Sequence, residues 1–352
     1  MARILIGGAG GAPANNFIMS LRASGDNDHL IGMCSVPTDL MLADTDEKYV
    51  VPYANAPDYA TQLCAVIRKT HPDLLHLQHD FEVRRVSRER QLIEKQGVKL
   101  FLPDSLTVEN CVDKSRSYAI WKDAGLPVPE TILVTGVADL TDAFRQFDGK
   151  VWLRATEGGG GSGALPTDNF DFARLWIDRF DGWGRFTAAR CLTARSVTWL
   201  SIWYHGELVV AQQRTRRSWN FGNRTLSGVT GITGVGETTS DPIVDETALA
   251  AIQALDSKPH AIFAVDMTYD IQGRPNPTEI NIGRFFTTHY FFAKAGVNFA
   301  KIMKDLALYE KMPELPRKIN PLPDGLLWIR GMDVPPMLTN IAQLKRLEHA
   351  AN

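Results

Sequence analysis

The first 103 residues alternate between short strand-like and longer helix-like segments, and this alternation restricts the fold more than any other feature of the sequence. Strands of about four to eight residues between helices of about ten to sixteen are typical of βαβ units with a parallel sheet. The predicted strands are Arg3–Gly7, Leu30–Ser35, Leu74–Gln78 and Val98–Leu102, and the predicted helices are Asn15–Arg22, Tyr59–Lys69 and Phe81–Gln96. Pro103 ends the pattern, so we expect a parallel α/β unit at the start of the chain.

The rest of the chain mixes helices and strands without that regular alternation. A helical stretch, Val108–Ala124, ends at Gly125 and is followed by prolines, which together form a strong helix stop. Residues 130–190 indicate a small α+β unit, and residues 217–243 lack periodicity, so we expect a functional loop there. The other predicted elements are strands at Lys150–Ala155, Ser196–Trp203, Glu207–Gln213, Ile262–Tyr269 and Pro277–Ile282, and helices at Asp139–Phe147, Phe170–Asp178 and Glu246–Leu255.

Charge and composition exclude several classes of protein. Thirty-eight basic and 40 acidic residues leave a net charge of −2, so the chain as a whole has no general attraction for nucleic acid or anionic lipid. No apolar run reaches the length of about 18 residues that a membrane span needs. The four cysteines are dispersed without a Cys-x-x-Cys pair, which predicts reduced thiols in a cytoplasmic protein rather than disulfides or a zinc site.

A first glycine cluster, Gly7–Gly11, follows a strand and precedes a helix. The dinucleotide-binding fingerprint needs a third glycine where this chain has Pro13, and an acid where it has Cys34 and Ser35. A dehydrogenase is therefore disfavoured. Two interpretations remain: a turn whose helix faces a small anion or substrate, and a purely structural turn.

A second glycine cluster, at residues 158–163, is more informative. Successive glycines between two strands allow backbone N–H groups to converge on an anion, and Arg154 on the preceding strand adds positive charge. Ala164 stands where a Walker A loop would have lysine, so that motif is excluded. The candidate phosphate flap consists of Gly159, Gly160, Gly161, Ser162 and Gly163. A flexible linker is the alternative.

The third constellation combines Asp266 with Glu279 and Asn281. Asp266 and Glu279 are 13 positions apart, a spacing that allows a cross-strand pair, and Asn281 follows Glu279 on the same strand face. Three oxygen ligands amid apolar neighbours suit Mg²⁺, which takes further ligands from water and phosphates. A surface hairpin with solvated acids is the alternative.

Two other polar runs are less specific. His76-x-x-His79 resembles a metal motif, but residues three apart on a strand point to opposite faces, so we do not expect a site there. The basic run Arg214-Thr-Arg216-Arg217 either faces an anionic ligand or is solvated, and the sequence leaves both open.

Taken in order, these motifs resemble the ATP-grasp superfamily, in particular the branch of the carbamoyl-phosphate synthetase large subunit. Val112-Asp113-Lys114 and Leu126-Pro-Val-Pro-Glu-Thr131 resemble the Asp-Lys helix and the segment after it. Val151-Trp-Leu-Arg-Ala155 with the glycine run resembles the lid strand and flap. Phe263-Ala-Val-Asp266 and Thr278-Glu279-Ile-Asn281 resemble the magnesium-binding strands, and Asn281-Ile-Gly-Arg284 is similar to "Asn-x-Arg" with one residue inserted.

The resemblance implies an ATP-grasp fold of the α/β and α+β classes. It divides the chain into a Rossmann-like domain (residues 1–105), a linker helix with a small ATP lid (106–192) and a large domain with the magnesium site (193–352). It further implies an ATP-dependent carboxylate–amine ligase that acts through an acyl phosphate. The expected partners are a small carboxylate and an amine, without nucleic acid or membrane. The oligomeric state stays open, although many relatives are homodimers.

The resemblance also assigns roles to individual residues. Asp266, Glu279 and Asn281 would hold Mg²⁺, while Lys114, Arg154 and the flap would bind ATP. Arg284 and Arg214 would be the catalytic pair.

The chain departs from the family at the lid hinge, where Arg190 and Ser196 stand in place of the usual glutamates. A carboxylate or carbamate kinase and a nucleotide-binding member without catalysis are therefore the alternatives to the ligase.

Overall fold

Three β-sheets organise the part of the chain that the computed structural model describes, namely residues 1–161, 163–332, 336–343 and 345. They contain five, four and seven strands and follow one another along the sequence. None of the helices in these residues is long and apolar enough to cross a membrane.

The five-stranded sheet is parallel throughout, as the alternating pattern predicts. Its strands are β1 (Arg3–Ile6), β2 (His29–Cys34), β3 (Glu47–Val50), β4 (Leu74–His76) and β5 (Lys99–Leu100), in the order β3-β2-β1-β4-β5. The helices are α1 (Ala12–Arg22), α2 (Pro37–Leu40), α3 (Tyr59–Thr70), α4 (Asp80–Arg88) and α5 (Arg90–Glu94). Two predictions were wrong: the helix over Phe81–Gln96 breaks at Glu89, and the half-exposed edge strand β3 was missed.

The segment between the five-stranded and the four-stranded sheet holds two helices, whereas a single helix was predicted over Val108–Ala124. These are α6 (Ser105–Val112) and α7 (Lys114–Asp123). Asp113 between them has extended dihedral angles, φ −88° and ψ 107°, and its side chain accepts a hydrogen bond from the Ser115 N–H at 2.9 Å. This capping interaction starts a new helix, so that Lys114 becomes its first residue.

The four-stranded sheet is antiparallel and has its own apolar core, which includes Leu153, Ile177 and Phe186. The predicted strand at Lys150–Ala155 and helix at Phe170–Asp178 are confirmed within one residue. The strands are β6 (Thr131–Val134), β7 (Val151–Ala155), β8 (Leu165–Thr167) and β9 (Phe186–Arg190), and the helices are α8 (Val137–Gln146) and α9 (Phe170–Arg179).

The seven-stranded sheet contains the predicted hairpin and the predicted acid-bearing strand pair. Its strands are β10 (Ser196–Tyr204), β11 (Glu207–Trp219), β12 (Thr233–Thr239), β13 (Ala261–Tyr269), β14 (Pro275–Ile282), β15 (Leu326–Ile329) and β16 (Met337–Asn340). The helices near it are α10 (Pro242–Leu255), α11 (Tyr290–Lys294) and α12 (Phe299–Tyr309). The prediction of an unstructured segment over residues 217–243 was wrong, because pairing with neighbouring strands organises both ends of it. Only residues 220–232 connect β11 to β12, and they include a short 3₁₀ turn.

Aromatic rings fill the contact between the first sheet and the segment that follows β14. Phe17 of α1 lies 4.2 Å from the His76 ring and 5.9 Å from the Phe285 ring, measured between centroids. Phe285 in turn stacks on His289 at 4.5 Å. Both histidines are fully buried, and each leaves its Nε2 atom without a hydrogen-bond partner. Burial lowers the pKa of His76 and of His289 to about 3.

This burial predicts an acid-sensitive stability. In the unfolded chain the two imidazoles have a pKa of about 6.5, so above that pH they are neutral in the folded and the unfolded state alike. At lower pH the unfolded chain binds protons that the folded chain excludes until about pH 3. The free energy of unfolding should therefore fall by roughly 1.4 kcal/mol per pH unit for each histidine between about pH 6 and pH 4. Urea titrations of His76→Leu should show a shallower fall than wild type. The exposed-histidine control His71→Asn should keep the wild-type slope, and an equal slope for His76→Leu would contradict this account.

Candidate active site

The predicted carboxylates face each other on the seven-stranded sheet. The register of β13 and β14 pairs Asp266 with Glu279, as their spacing predicts. Asn281 lies on the same face, and its Nδ2 atom donates to Asp266 Oδ2 at 3.0 Å. The structure thus brings all three predicted magnesium ligands together.

A β-bulge next to this pair connects it to the unit built on the four-stranded sheet, which is called the lid below. Asp266 pairs with Glu279 but Met267 pairs with Pro277, so Thr278 is the extra residue. The Thr278 carbonyl oxygen accepts a hydrogen bond from Arg154 Nη2 at 2.9 Å, and its hydroxyl donates to the Asp266 carbonyl oxygen at 3.0 Å. The bulge therefore places a lid arginine beside the acidic pair. Burial lowers the pKa of Arg154, while the nearby Glu279 opposes that shift.

The oxygen donors fit the magnesium ion that the fold implies. Carboxylate and amide oxygens are hard ligands, and Mg²⁺ completes its octahedron with water and phosphate oxygens. No cluster of three or more His, Cys, Asp or Glu side chains suited to a metal occurs among the described residues, so the set depends on the amide of Asn281. His76 and His79 form no such cluster either, because His76 lies in β4 and His79 caps α4.

Lys114 reaches the same place from α7. Its Nζ atom lies 3.6 Å from Glu279 Oε2 and donates to the Gly158 carbonyl oxygen at 2.6 Å. The lysine is buried, with 8 % of its surface exposed. It therefore joins the acidic strand pair to the first residue of the glycine cluster.

Two arginines of β11, Arg214 and Arg216, lie on the same sheet face as Asp266. Arg214 is 1 % exposed and, among the described residues, bonds only to hydroxyls, with its Nη2 atom 2.7 Å from Thr198 Oγ1. Burial, reinforced by Arg216, lowers the pKa of Arg214 to about 9, so it stays cationic at neutral pH. Arg216 approaches Asp266 Oδ1 at 3.5 Å and stacks on Trp219. The basic run thus faces inward through Arg214 and Arg216, whereas Arg217 pairs with Glu237 at the surface.

Arg284 forms the link to the N-terminal sheet. Its guanidinium makes a two-pronged ion pair with Asp80, the first residue of α4, with Nη2 donating to Oδ2 at 2.9 Å. It also donates to Asn281 Oδ1. Burial opposes the charge on Arg284, but pairing with Asp80 outweighs burial and raises its pKa. Despite the inserted residue, Arg284 therefore lies next to the predicted magnesium ligands.

The glycine cluster covers this site from the lid. Gly159 lies near Asp80, and a methyl group on Gly161 would lie 2.7 Å from the Val229 carbonyl oxygen. A methyl group on Gly231 would lie equally close, 2.7 Å, to Gly160 Cα. The glycine cluster and the 220–232 loop are therefore so close that neither Gly161 nor Gly231 has room for a β-carbon. Ser162, predicted to bind ATP, lies outside the described residues.

The two predicted hinge positions, Arg190 and Ser196, supply no acid to the site. Arg190 bonds to Glu130 and Asp148 on the exposed side of the lid. Ser196 accepts a hydrogen bond from Arg216 Nη1 at 3.0 Å.

The site carries an excess of positive charge suited to an anionic ligand. The cationic side chains are Lys114, Arg154, Arg214, Arg216 and Arg284, and the anionic ones are Asp80, Asp266 and Glu279, which leaves two positive charges in excess. Of the residues around it, Thr198 was not selected from the sequence, and Arg216 was considered only as part of the basic run. Alternation along β11 places Arg216 on the same face as Arg214, but no local pattern marks Thr198.

Comparison with known proteins identifies the fold. No family model matches the sequence, and no curated protein matches it. A biotin carboxylase from Campylobacter jejuni, solved with a β,γ-ATP ligand, aligns over 94% of this chain and 75% of its own, with a TM-score of 0.70 and 17% identity. N5-carboxyaminoimidazole synthetase from Staphylococcus aureus aligns over 99% and 96%, with a TM-score of 0.70 and 13% identity. An L-amino acid ligase from Bacillus licheniformis aligns over 93% and 79%, with a TM-score of 0.69 and 12% identity.

These likenesses confirm the predicted ATP-grasp fold for nearly the whole chain. At such low identity they establish the fold alone.

The Asp80–Arg284 pair supplies a direct test of the site's electrostatics. Asp80→Asn removes the carboxylate but leaves a mostly buried guanidinium, so the free energy of unfolding should fall by about 2–3 kcal/mol. Urea denaturation at pH 7 measures this change. The control Asp148→Asn breaks an exposed arginine pair of the lid and should alter stability by less than about 0.5 kcal/mol. Equal stabilities for the two variants would contradict the proposed burial of Arg284.

Proposed function

We propose that this chain, which has the ATP-grasp fold, is an ATP-dependent carboxylate–amine ligase that works through an acyl phosphate and releases ADP and phosphate. The observation that carries the proposal is the cation-rich site around Asp266, Glu279 and Asn281, which three parts of the chain build together. We assign these parts to a Rossmann-like domain (residues 1–105), a linker helix with the ATP lid (106–192) and a large domain (193–352).

The first step needs alignment and charge neutralisation rather than covalent help from the protein. Asp266, Glu279 and Asn281 would hold magnesium, which would neutralise negative charge on the phosphate oxygens. Lys114 and Arg154 would bind the phosphates from two sides, in place of their present bonds to Gly158 and Thr278. A carboxylate oxygen of the substrate then attacks the γ-phosphorus, the bond to the β,γ-bridging oxygen breaks, and ADP leaves.

The second step joins the amine to the activated acid. The amine nitrogen attacks the acyl carbon, inorganic phosphate departs, and the nitrogen loses a proton to give the amide. Arg284 and Arg214 would stabilise the oxyanion that develops in this addition. Arg214 suits the role because it is buried and cationic and bonds only to hydroxyls in the described structure.

Water must be excluded, because it would hydrolyse the acyl phosphate. The 220–232 loop is the candidate for that closure, since it already contacts the glycine cluster through Gly231 and Val229.

One observation favours a second candidate, a nucleotide-binding protein without catalysis. Arg190 faces away from the site and Ser196 bonds to an arginine, so neither hinge position offers the acid that the family usually has. Binding of MgADP without ADP release from ATP, across pooled carboxylates and amines, would favour this candidate. A kinase that releases its acyl phosphate would instead yield a hydroxamate when hydroxylamine is supplied and no amine is present.

Glu279→Gln and Asp266→Asn should each lower substrate-dependent ADP release by roughly a hundredfold or more, because each removes a carboxylate that would hold magnesium at the phosphates. The assay is ADP release with pooled carboxylates and amines, alongside circular dichroism to confirm the fold. Glu207→Gln, which changes an exposed glutamate at the start of β11, should retain wild-type turnover. Unchanged turnover in both site variants would exclude the metal assignment.

Arg154→Ala should weaken ATP binding by about 1–3 kcal/mol, the usual contribution of a charge-assisted hydrogen bond. Isothermal titration with ATP and magnesium measures it. Arg145→Ala, which removes an exposed arginine from α8 of the same lid, is the matched control and should bind ATP like wild type. Equal affinities for all three proteins would remove Arg154 from the phosphate site.

A further inference from the structure

The glycine cluster is fixed at its start by an ion pair that no sequence motif indicates. Glu157 directly precedes Gly158, and its Oε2 atom accepts a hydrogen bond from Arg84 Nη1 at 3.0 Å. Arg84, in α4, is itself immobilised, because its Nε and Nη2 atoms donate to the carboxylate of Glu109 in α6. A guanidinium of the N-terminal region therefore restrains the first residues of the flap.

The other end is fixed by an indole of α9. Trp176 Nε1 donates to the Gly163 carbonyl oxygen at 3.0 Å. The indole packs in a row of aromatic rings, with Phe172 at 6.0 Å and Phe180 at 5.1 Å between centroids. A methyl group on Gly163 would lie 2.8 Å from the Phe186 ring. Gly163 is thus close to two aromatic side chains.

Between these ends, Lys114 and the 220–232 loop contact the glycines, but two of the glycines have open space where another residue would carry its β-carbon. Gly158 and Gly160 have φ angles of +91° and +69°, and no atom would lie within 4 Å of a β-carbon on either. Glycine loses more conformational freedom on ordering than any other residue, so a loop of glycines binds phosphate at a high entropic cost. Fixing the two ends before the ligand arrives lowers that cost by preorganisation.

We propose that Glu157 and Trp176 are positioning residues that hold the flap over the phosphate site from its two ends. The inference rests on the nucleotide site proposed above. Neither side chain needs to touch the nucleotide, because both act through the backbone of residues 158–161 and Gly163. Their loss should therefore free the flap in the absence of any ligand and weaken phosphate binding as a consequence.

The test compares Glu157→Gln and Trp176→Phe with wild type, using MgADP as the probe. Each variant should bind MgADP roughly three- to tenfold more weakly in isothermal titration, the range expected for one partly exposed polar contact. Without nucleotide, amide hydrogen exchange of the peptide that spans residues 157–163 should be faster in both variants, which a loss of nucleotide contacts alone would not cause.

The lid offers a matched control for each variant. Glu130→Gln breaks an ion pair with Arg190 on the exposed face of the lid, and Trp183→Phe removes an indole that donates to Asp178 rather than to the flap. Both controls should keep the MgADP affinity and the amide hydrogen-exchange rate of the flap at their wild-type values.

An amide hydrogen-exchange rate equal to that of wild type in both Glu157→Gln and Trp176→Phe would overturn the proposal. If wild type itself fails to bind MgADP, the proposed function fails, yet the exchange comparison still decides the role of these two residues. If Trp176→Phe does not fold, Glu157→Gln decides it alone.

Discussion

The register between β13 and β14 is the constraint on which the rest of the site depends. It places Asp266 opposite Glu279, and the bulge beside this pair leaves Thr278 free to bond outside the sheet. Through Thr278 the lid arginine Arg154 is held near the acids. A shift of one residue would turn Glu279 and Asn281 to the opposite face, and would remove both the oxygen ligands and the lid contact.

Cationic side chains from several distant elements lie around this strand pair. Lys114 comes from the helix that Asp113 starts, Arg214 and Arg216 from β11, and Arg284 from the segment after β14. Asp80, Asp266 and Glu279 neutralise part of this positive charge, and the excess is unfavourable, since burial penalises charge and the guanidinium groups repel one another. An anionic ligand would relieve that repulsion, which is the physical reason for assigning phosphate chemistry to this face of the sheet.

Much of the fold, and the pairing of the two acids, could be predicted from local sequence patterns. Period-two and helical patterns located the parallel sheet, the hairpin and β13 and β14, because their apolar residues repeat regularly. The spacing of Asp266 and Glu279 was sufficient to predict their pairing. The helix break at Asp113 was missed, because a helical pattern continues across it and only the cap geometry reveals it. The strands within residues 217–243 were missed as well, because glycine and threonine form strands there only by pairing with neighbours.

Asp80 shows the limit of such reasoning. It stands 204 residues from Arg284, and no spacing rule connects an acid at the start of one helix with an arginine beyond a distant strand. The assembly of the N-terminal sheet against the large sheet alone creates that pair. The roles of the site residues likewise remain predictions, because fold and geometry do not specify a reaction.

The most direct test of the account is the position of the metal. Crystals grown with ADP and Mn²⁺ in place of Mg²⁺ would show it by anomalous scattering. We expect a peak within ligand distance of Asp266, Glu279 and Asn281, with ADP phosphate oxygens completing its coordination. A nucleotide-bound peak held by other residues, with these three side chains turned elsewhere, would contradict the central claim.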